Sequence, residues 1–328
     1  MIFKCKNCSG NMVFNPEKMK MHCPYCDSMD TEEVLYSNNM HICDCCGAEI
    51  PINQYDSAGR CEACSQYVIF DERIKGEYEP EKIIPFHFSK NIAKQCIRQE
   101  FGEHMYMPDT FLEEVTLKSM EGVYVPFWLY DFETNYDYQG TGLKVNTRTR
   151  GNIQYTDNSY YNVVRNFDTT FTRMPQDASS GMPNDVMDLM EPYDYSKMQD
   201  FNPKYMSGFR GEVYYGGAKI FEPRAAEKTK SASEQLLKDT IRGYTSVTAM
   251  VNKLNMENTN SEYALLPVWR YLYEYRGKIY PFYVNGQTGK VIGEVPVSKI
   301  KKTVYPITVF VLLCLGLWMI LYMIGGIL

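Results

Sequence analysis

The 328-residue sequence predicts an α+β protein in three parts: two small cysteine-rich units, an aromatic-rich antiparallel sheet with helices, and one long C-terminal helix. Nine of the eleven cysteines lie in the first 65 residues, and eight of these nine are regularly spaced. Aromatic residues make up 14% of the chain, which favours strands because large flat side chains pack well on pleated surfaces. The last 25 residues carry no charge, so each part has its own composition.

The regularly spaced cysteines form two quartets. In each quartet a Cys-x2-Cys pair is followed, after fourteen residues, by a second pair, and each cysteine of the first quartet recurs 38 positions later. A two-residue gap lets two thiolates face one ion, and a hairpin between the pairs completes a tetrahedral shell. The spacing therefore predicts two duplicated zinc ribbons, at residues 1–38 and 39–75. The predicted ligands are Cys5, Cys8, Cys23 and Cys26 for one Zn²⁺, and Cys43, Cys46, Cys61 and Cys64 for the other.

A shell of four cysteines leaves no coordination position for water, so both zinc ions are predicted to be structural. His22 and His41 lie beside predicted ligands and could replace one, but with four cysteines already in place they are interpreted as surface residues. Cys45 lies inside the second ribbon and is predicted not to bind metal. The absence of a disulfide pairing pattern favours a reducing compartment.

The charge of the ribbons bears on their partner. Residues 1–75 contain seven Lys or Arg and eleven Asp or Glu, a net charge of −4, and the whole chain carries −6. Nucleic-acid binding normally requires the opposite balance, because basic side chains displace counterions from phosphates. The sequence therefore favours a protein partner, and a membrane-tethered nucleic-acid-binding protein is the alternative.

Residues 83–298 are predicted to form the α+β domain, from periodicities of about 3.6 residues for helices and two for strands. Helices are predicted from the cap at Ser89 to about Glu103, at Asn184–Met190, and at Pro223–Asn255 with an interruption near Gly243. Strands are predicted in the ribbons at Asn11–Phe14, Lys18–His22, Glu49–Gln54 and Gln66–Phe70. In the domain they are predicted at Ile83–Phe88, Val123–Thr134, Leu143–Arg150, Asn152–Thr156, Tyr160–Thr172, Glu212–Phe221, Tyr263–Tyr275, Lys278–Val284 and Gly289–Glu294, with a turn at Asn258–Asn260.

A second, weaker repeat lies inside this domain. Val125–Tyr130 (VPFWLY) matches Leu266–Tyr271 (LPVWRY) at an offset of 141 residues, each after a helical stretch. The match predicts two related helix-then-strand units. Their Trp and Tyr side chains are expected in the core rather than in a ligand-binding cage.

No combination of residues in the sequence predicts catalysis. Gly286–Val291 resembles a phosphate-binding loop, but it has too few residues between its glycines and lacks the Ser or Thr after Lys. His87 and His104 are the histidines outside the ribbons, and neither has a recognisable partner pattern. The acidic runs at 185–188 and 194–200 are interpreted as solvated. The chain is therefore predicted not to be an enzyme, and a pocket joining either histidine to carboxylates would favour a hydrolase instead.

Residues 304–328 are predicted to form a transmembrane helix. Twenty-five residues rise about 37 Å in a helix, which exceeds a hydrocarbon core of roughly 30 Å. Lys299, Lys301 and Lys302 precede the apolar run, and the positive-inside rule places them in the cytoplasm. Because the first ribbon starts at the N-terminus without an apolar leader, a tail-anchored protein with its bulk in the cytosol is expected.

The two quartets, Leu265–Trp269 and Tyr280–Gly293 before the apolar run resemble bacterial zinc-ribbon membrane proteins labelled as TFIIB-type zinc-ribbon proteins. The resemblance implies a bacterial cell membrane and partners among phage-shock-protein-A-like envelope-stress proteins and SPFH-domain or virion-core-like proteins. Cys45 and the acidic connection at 174–212 depart from that family pattern. The resulting hypothesis is a non-enzymatic, tail-anchored scaffold that recruits cytosolic proteins to the membrane.

Overall fold

A computed structural model describes residues 1–36, 42–75, 79–117 and 119–325. The strands are β1 Ile2–Cys5, β2 Val13–Asn15, β3 Lys20–His22, β4 Glu32–Leu35, β5 Asp56–Arg60, β6 Tyr67–Ile69, β7 Lys82–Ile83, β8 Glu121–Arg150, β9 Ile153–Asp177, β10 Gln199–Asp200, β11 Arg210–Glu212, β12 Ser246–Tyr275, β13 Lys278–Asn285 and β14 Val291–Gly293. The helices are α1 Lys90–Phe101, α2 Glu114–Leu117, α3 Asn184–Met190, α4 Ala218–Thr240 and α5 Lys299–Gly325.

The antiparallel pair β8 and β12 forms the centre of the main sheet. Each strand has 30 residues, which corresponds to about 100 Å at roughly 3.3 Å per residue. The two repeated segments lie side by side in this pair, because Val125 is opposite Leu266. Tyr130 and Tyr271 are at most 1% exposed and Trp269 is 5% exposed, which confirms that these aromatic side chains belong to the core.

Beyond Asp131 the sheet narrows to three strands, β9, β8 and β12, which form an extended arm (residues 131–173 and 246–260). The β8–β12 pair and the β8–β9 pair each have a β-bulge at the base of the arm, next to Asp131. Its carboxylate accepts a hydrogen bond from the Arg173 N–H at 2.8 Å, and its carbonyl accepts one from Thr259 Oγ1. The predicted turn at Asn258–Asn260 is therefore wrong, since these residues form the bulge within one continuous strand.

Helix α4 covers one face of the arm. Its buried residues recur every four positions at Ala225, Thr229, Ser233 and Leu237, and the first three are small enough to let the helix approach the strands closely. The two hydroxyl groups donate to the carbonyls one turn earlier, so burial leaves neither without a partner. Leu237 packs with Tyr136, Tyr138 and Val163 of the arm. This apolar face stabilises an arm that would be marginal as isolated strands.

The predicted helix at Pro223–Asn255 is correct only to Thr240, because Val247 and Leu254 lie in β12. A bulge between Ala249 and Val251 inserts one extra residue into the strand. The bulge places Val247 and Leu254, seven residues apart, on the same face, where an uninterrupted strand would separate them. Seven-residue spacing is also helical, so this bulge explains the wrong prediction.

Two further predicted strands are not formed as predicted in the described part of the chain. Only Glu212 of Glu212–Phe221 is in a strand, since α4 already begins at Ala218. In the second ribbon the arm of the hairpin is β5, not Glu49–Gln54. The small residues of β5 have low strand propensity, but they fit under Phe70, whose ring lies 3.0 Å from where a Cβ on Gly59 would be.

Both cysteine-rich units are attached to the domain, the second as part of the main sheet and the first through side-chain contacts. Strand β11 pairs with β8 on one side and β5 on the other, so the β5–β6 hairpin of the second ribbon extends the sheet. In the first ribbon the Phe14 ring packs edge-on against Tyr205 at 5.0 Å, and Ser207 Oγ donates to the Met12 carbonyl. Since both contacts come from the region 199–212, this part of the acidic connection joins the ribbons to the domain.

Helix α5 is long and apolar enough to span a membrane. Its apolar stretch within Lys299–Ile320 is not buried against the rest of the protein. The first turn is attached to the domain through two contacts. The Ser298 N–H donates to the Tyr106 carbonyl at 2.7 Å, and Lys301 Nζ lies 2.5 Å from Asp109 Oδ1. Residues 326–328 of the predicted span lie outside the described residues.

Candidate metal centres

The four Cys-x2-Cys pairs have the same backbone geometry. In each, the N–H of the first cysteine donates to the carbonyl five residues later, and the N–H four residues later donates back to that cysteine. The residue at this fourth position has a positive φ in every pair: Ser9, Asp27, Gly47 and Ser65, with φ between 58° and 73°. Four matching tight turns show that the sequence repeat is also a structural repeat.

These turns bring the eight predicted ligands into two separate clusters. In each quartet all four Sγ atoms lie within 4.8 Å of one another. The Sγ–Sγ distances are 3.6 Å for Cys5–Cys26, 3.5 Å for Cys8–Cys23, 3.6 Å for Cys43–Cys64 and 3.7 Å for Cys46–Cys61. Four sulfurs placed tetrahedrally at 2.3 Å from a zinc ion would be about 3.8 Å apart. Each cluster could therefore hold one metal ion, and the geometry is compatible with zinc.

Hydrogen bonds favour the thiolate form of one buried cysteine in each cluster. The Thr31 hydroxyl, followed by backbone N–H groups, lowers the pKa of Cys5 to about 6. The Cys64 N–H is the largest factor that lowers the pKa of Cys61 to about 7. Burial instead raises the pKa of Cys43, and it raises the pKa of Cys64 to about 12. A divalent cation would stabilise all four thiolates, since metal binding displaces their protons.

Among the described residues, the neighbouring candidates His22 and Cys45 lie outside the two clusters. His22 Nε2 is 3.1 Å from Asp27 Oδ1 at the surface, and His41 lies outside the described residues. The Cys45 Sγ accepts a hydrogen bond from Asn11 Nδ2 at 3.5 Å, while the same amide donates to Gln66. Asn11 thus connects the first ribbon to the second, and Cys45 takes part in that contact.

The two histidines of the domain lie in different surroundings. His87 lines a surface pocket with Glu17 and Lys197, so one of the two histidines does share a pocket with a carboxylate, the arrangement named above as favouring a hydrolase; burial lowers the pKa of His87. The His104 ring packs edge-on against Phe101 at 5.6 Å. Within the part of the chain that the structure describes, the two cysteine quartets are the only groups of three or more His, Cys, Asp or Glu with metal-binding geometry.

The acidic residues of the connection are partly in ion pairs. Asp188, on α3, contacts Arg224 at 2.5 Å and Lys228 at 2.6 Å, so this carboxylate joins α3 to α4. Asp194 accepts a hydrogen bond from the Ser196 N–H and forms a local turn. These contacts give both carboxylates a structural role.

A buried carboxylate pair was not predicted from the sequence. Asp177 is 0% and Glu212 is 9% exposed, and Ser179 connects them by donating its N–H to Asp177 and its hydroxyl to Glu212. Burial raises the pKa of Asp177 to about 7 and also raises that of Glu212. The two residues are 35 positions apart and no local pattern joins them.

A cavity of about 250 Å³ opens beside Glu212, between the second ribbon and the sheet. Its charged residues include Asp56, Arg210 and Arg270. Arg210 Nε already lies 2.9 Å from Glu121, and Arg270 is 4.0 Å from the same carboxylate. Both arginines of the cavity therefore have a carboxylate within 4.0 Å.

Replacing Asp177 with asparagine should flatten the pH dependence of stability. The native pKa of Asp177 lies above the ordinary value of 3.8, so its favourable contribution is full below about pH 4 and is lost as pH rises toward 7. Thermal unfolding of the full chain between pH 5 and 8 measures this slope. The exposed-site control Asp157→Asn should keep the wild-type slope, and an unchanged slope in Asp177→Asn would contradict the assignment.

The fold and the two clusters define the class: an α+β protein with two four-cysteine sites and one helix long enough to cross a membrane. The chain is 32% identical over 309 residues to the uncharacterized protein YdjG of Bacillus subtilis (strain 168), and the alignment covers 90% of each chain. It therefore belongs to the same family as YdjG. No family model and no solved structure matches it.

Proposed function

We propose that the chain is a non-enzymatic scaffold that α5 anchors in a bacterial cell membrane and that recruits cytosolic proteins there. The observation that supports the proposal is that the cysteine clusters, the main sheet and α5 are joined to one another by direct contacts. Strand β11 joins the second ribbon to β8, and the Lys301–Asp109 contact joins α5 to the domain. A partner bound to the ribbons or sheet is thereby held near the membrane.

Zn²⁺ is the metal proposed for both clusters. Four thiolates at near-tetrahedral distances suit zinc, and a closed shell supplies folding energy rather than a reactive position. In the first cluster, the ion would hold together the β2–β3 hairpin and the turn before β4. The ribbons would then present fixed surfaces to a partner.

The proposed orientation places the ribbons and sheet in the cytoplasm. Lys299, Lys301 and Lys302 stand at the start of α5, and Lys301 is already held by Asp109. Positively charged residues beside a span favour the cytoplasmic side. The cysteine clusters fit this placement, since thiolates persist in a reducing compartment.

The arm provides a surface suited to a protein partner. Among the described strands, β9 has a partner on one side only, so its outer edge is free to pair with another strand. Ile153, Tyr155 and Tyr160 near the tip are between 44% and 68% exposed. Exposed aromatic side chains of this kind are enriched at protein interfaces. By resemblance, the expected partners are phage-shock-protein-A-like and SPFH-domain proteins of the envelope-stress response.

The same tip is also the feature that favours the nucleic-acid alternative. Residues 143–165 contain four Lys or Arg and one Asp, although the whole chain is acidic. Lys144 lies over the Tyr161 ring and Arg148 over the Tyr155 ring. Basic and aromatic side chains together can bind single-stranded nucleic acid, and such binding weakens steeply with salt.

Cross-linking capture from bacterial membranes distinguishes the two functions. The full-length chain is compared with the variant Lys144→Ala/Arg148→Ala/Arg150→Ala and with the metal-site variant Cys61→Ser. The scaffold predicts that a phage-shock-protein-A-like or SPFH-domain protein is captured by the wild type and reduced in a variant. Capture of nuclease-sensitive material alone, lost in the arm-tip variant, would support the alternative and contradict the scaffold.

A further inference from the structure

The position of α5 relative to the sheet indicates which edge of the domain faces the membrane. Only five residues separate β14 from α5, and Ser298 at their end is 7% exposed. The Ser298 N–H and the Lys301 ammonium bind Tyr106 and Asp109 of one loop. The domain is thus attached to the start of α5 by one contact just before the helix and one in its first turn.

The register of β13 and β14 shows the direction in which the chain leaves the sheet. Val291 is opposite Val284 and Gly293 is opposite Phe282, so residues after Gly293 run toward the β12–β13 turn at Arg276–Gly277. A side-chain contact supports the same direction, because Thr110 Oγ1 lies 2.7 Å from the Tyr273 hydroxyl. Thr110 follows the residue that binds Lys301. The β12–β13 turn and the start of α5 therefore lie at one end of the sheet.

This end of the sheet carries an exposed set of apolar, aromatic and basic side chains, which we name the basal edge. Ile279 is 60%, Met105 55% and Tyr106 39% exposed. Lys278 lies 4.9 Å from the Tyr280 ring centroid and Arg276 lies 5.4 Å from that of Tyr275. The basal edge consists of Met105, Tyr106, Tyr275, Arg276, Lys278, Ile279 and Tyr280, of which Tyr275 and Tyr280 are half-buried against the core.

Such a composition suits the boundary between lipid headgroups and acyl chains. Tyrosine rings are enriched at that depth, and Lys and Arg can extend their charged ends toward phosphates while their stems lie on apolar surface. The start of α5 lies next to the same segment, since the Ser298 N–H binds the Tyr106 carbonyl and Lys301 binds Asp109. Glu274 is acidic and adjoins the turn, but the two cations Arg276 and Lys278 outnumber it.

We propose that the basal edge lies in the headgroup layer of the bilayer that α5 enters, so that the domain has a second membrane contact. This inference rests on the proposed membrane anchoring. Two contacts fix the tilt of the domain where a lone helix would allow it to swing. With β12 rising from the membrane, the arm tip would be held on the order of 100 Å away from it.

Quenching by brominated lipids tests the contact in the full-length chain. The variant Ile279→Trp, made in a Trp318→Phe background, is reconstituted in phosphatidylcholine and phosphatidylglycerol vesicles with brominated acyl chains. Its additional emission should be lost relative to unbrominated vesicles. The matched control is Ile153→Trp at the arm tip, which has the same residue type and 59% exposure and should not be quenched.

Trp318 of the unmodified chain reports on the anchor separately, because it lies within α5. Quenching of Trp318 without quenching of Ile279→Trp would overturn the second contact and leave the anchor intact. Absence of quenching at both positions would contradict the anchor itself. Equal quenching of Ile279→Trp and Ile153→Trp would also overturn the proposal, since it would show no preference for the basal edge.

Discussion

Replacing Cys23 with serine should reduce the bound zinc from two ions per chain to one. Cys23 is 0% exposed and its Sγ lies 3.5 Å from that of Cys8, so serine would remove a central ligand of the first cluster. Zinc binding in comparable peptides contributes about 10–16 kcal/mol, as much as the whole stability of many domains. We therefore expect the first ribbon to unfold.

The effect should extend beyond the ribbon. Phe14 and Met21 belong to the same buried cluster as Phe86 and Trp269 of the sheet, so loss of the first site exposes part of the main core. Metal analysis of the purified chain gives the zinc stoichiometry, and near-ultraviolet circular dichroism reports on aromatic packing. Both signals should change together.

The matched control for this experiment is Cys45→Ser. Cys45 lies between two ligands in the chain but outside the four-sulfur cluster, so this variant should retain two zinc ions. Retention of two ions by Cys23→Ser, or fewer than two in the wild type, would contradict the two-site assignment.

The double variant Leu313→Arg/Leu317→Arg should move from the membrane to the soluble fraction. Both residues lie near the middle of α5 and are more than 60% exposed. Each arginine costs about 2.5–3.5 kcal/mol at the centre of a span, so two shift the insertion equilibrium by roughly 10⁴-fold. Carbonate extraction followed by quantitative immunoblotting measures the distribution.

A conservative double variant shows whether the introduced charge, rather than any change of side chain at these positions, causes the loss from the membrane. Leu313→Ile/Leu317→Ile preserves the apolar surface of α5 and should remain in the membrane pellet. Because the cysteine clusters are remote from α5 in the chain, both variants should keep the metal content of the wild type, which we expect to be two zinc ions. A charged variant that stayed fully in the pellet would argue against α5 as the anchor.

Local patterns account for the features that the sequence predicted well. The Cys-x2-Cys spacing specifies two adjacent thiols through one tight turn, and all four turns have the same hydrogen bonds. The apolar C-terminal run is similarly local, since length and lack of charge suffice to predict a helix long enough to span a membrane. The short helix Asn184–Met190 was also correct, because its buried methionines recur at helical spacing.

Contacts distant in sequence account for most of the rest. Ser207 binds the Met12 carbonyl across 195 positions, and β11 pairs with β5 although neither has a strong strand pattern. The bulge at Ala249–Val251 gives a strand the spacing of a helix. The carboxylates Asp177 and Glu212 meet only through Ser179. The contacts of Ser207 and of β11 leave no local pattern, which explains why the attachment of the cysteine-rich units to the domain was not predicted.

The central claim is that the chain brings a cytosolic protein to the membrane. Its most direct test is two-colour imaging of a bacterium that expresses the full chain with a fluorescent SPFH-domain or phage-shock-protein-A-like candidate. We predict that the candidate moves to the membrane with the wild-type chain and remains dispersed with Leu313→Arg/Leu317→Arg. A candidate distribution that is the same with both chains would contradict the scaffold.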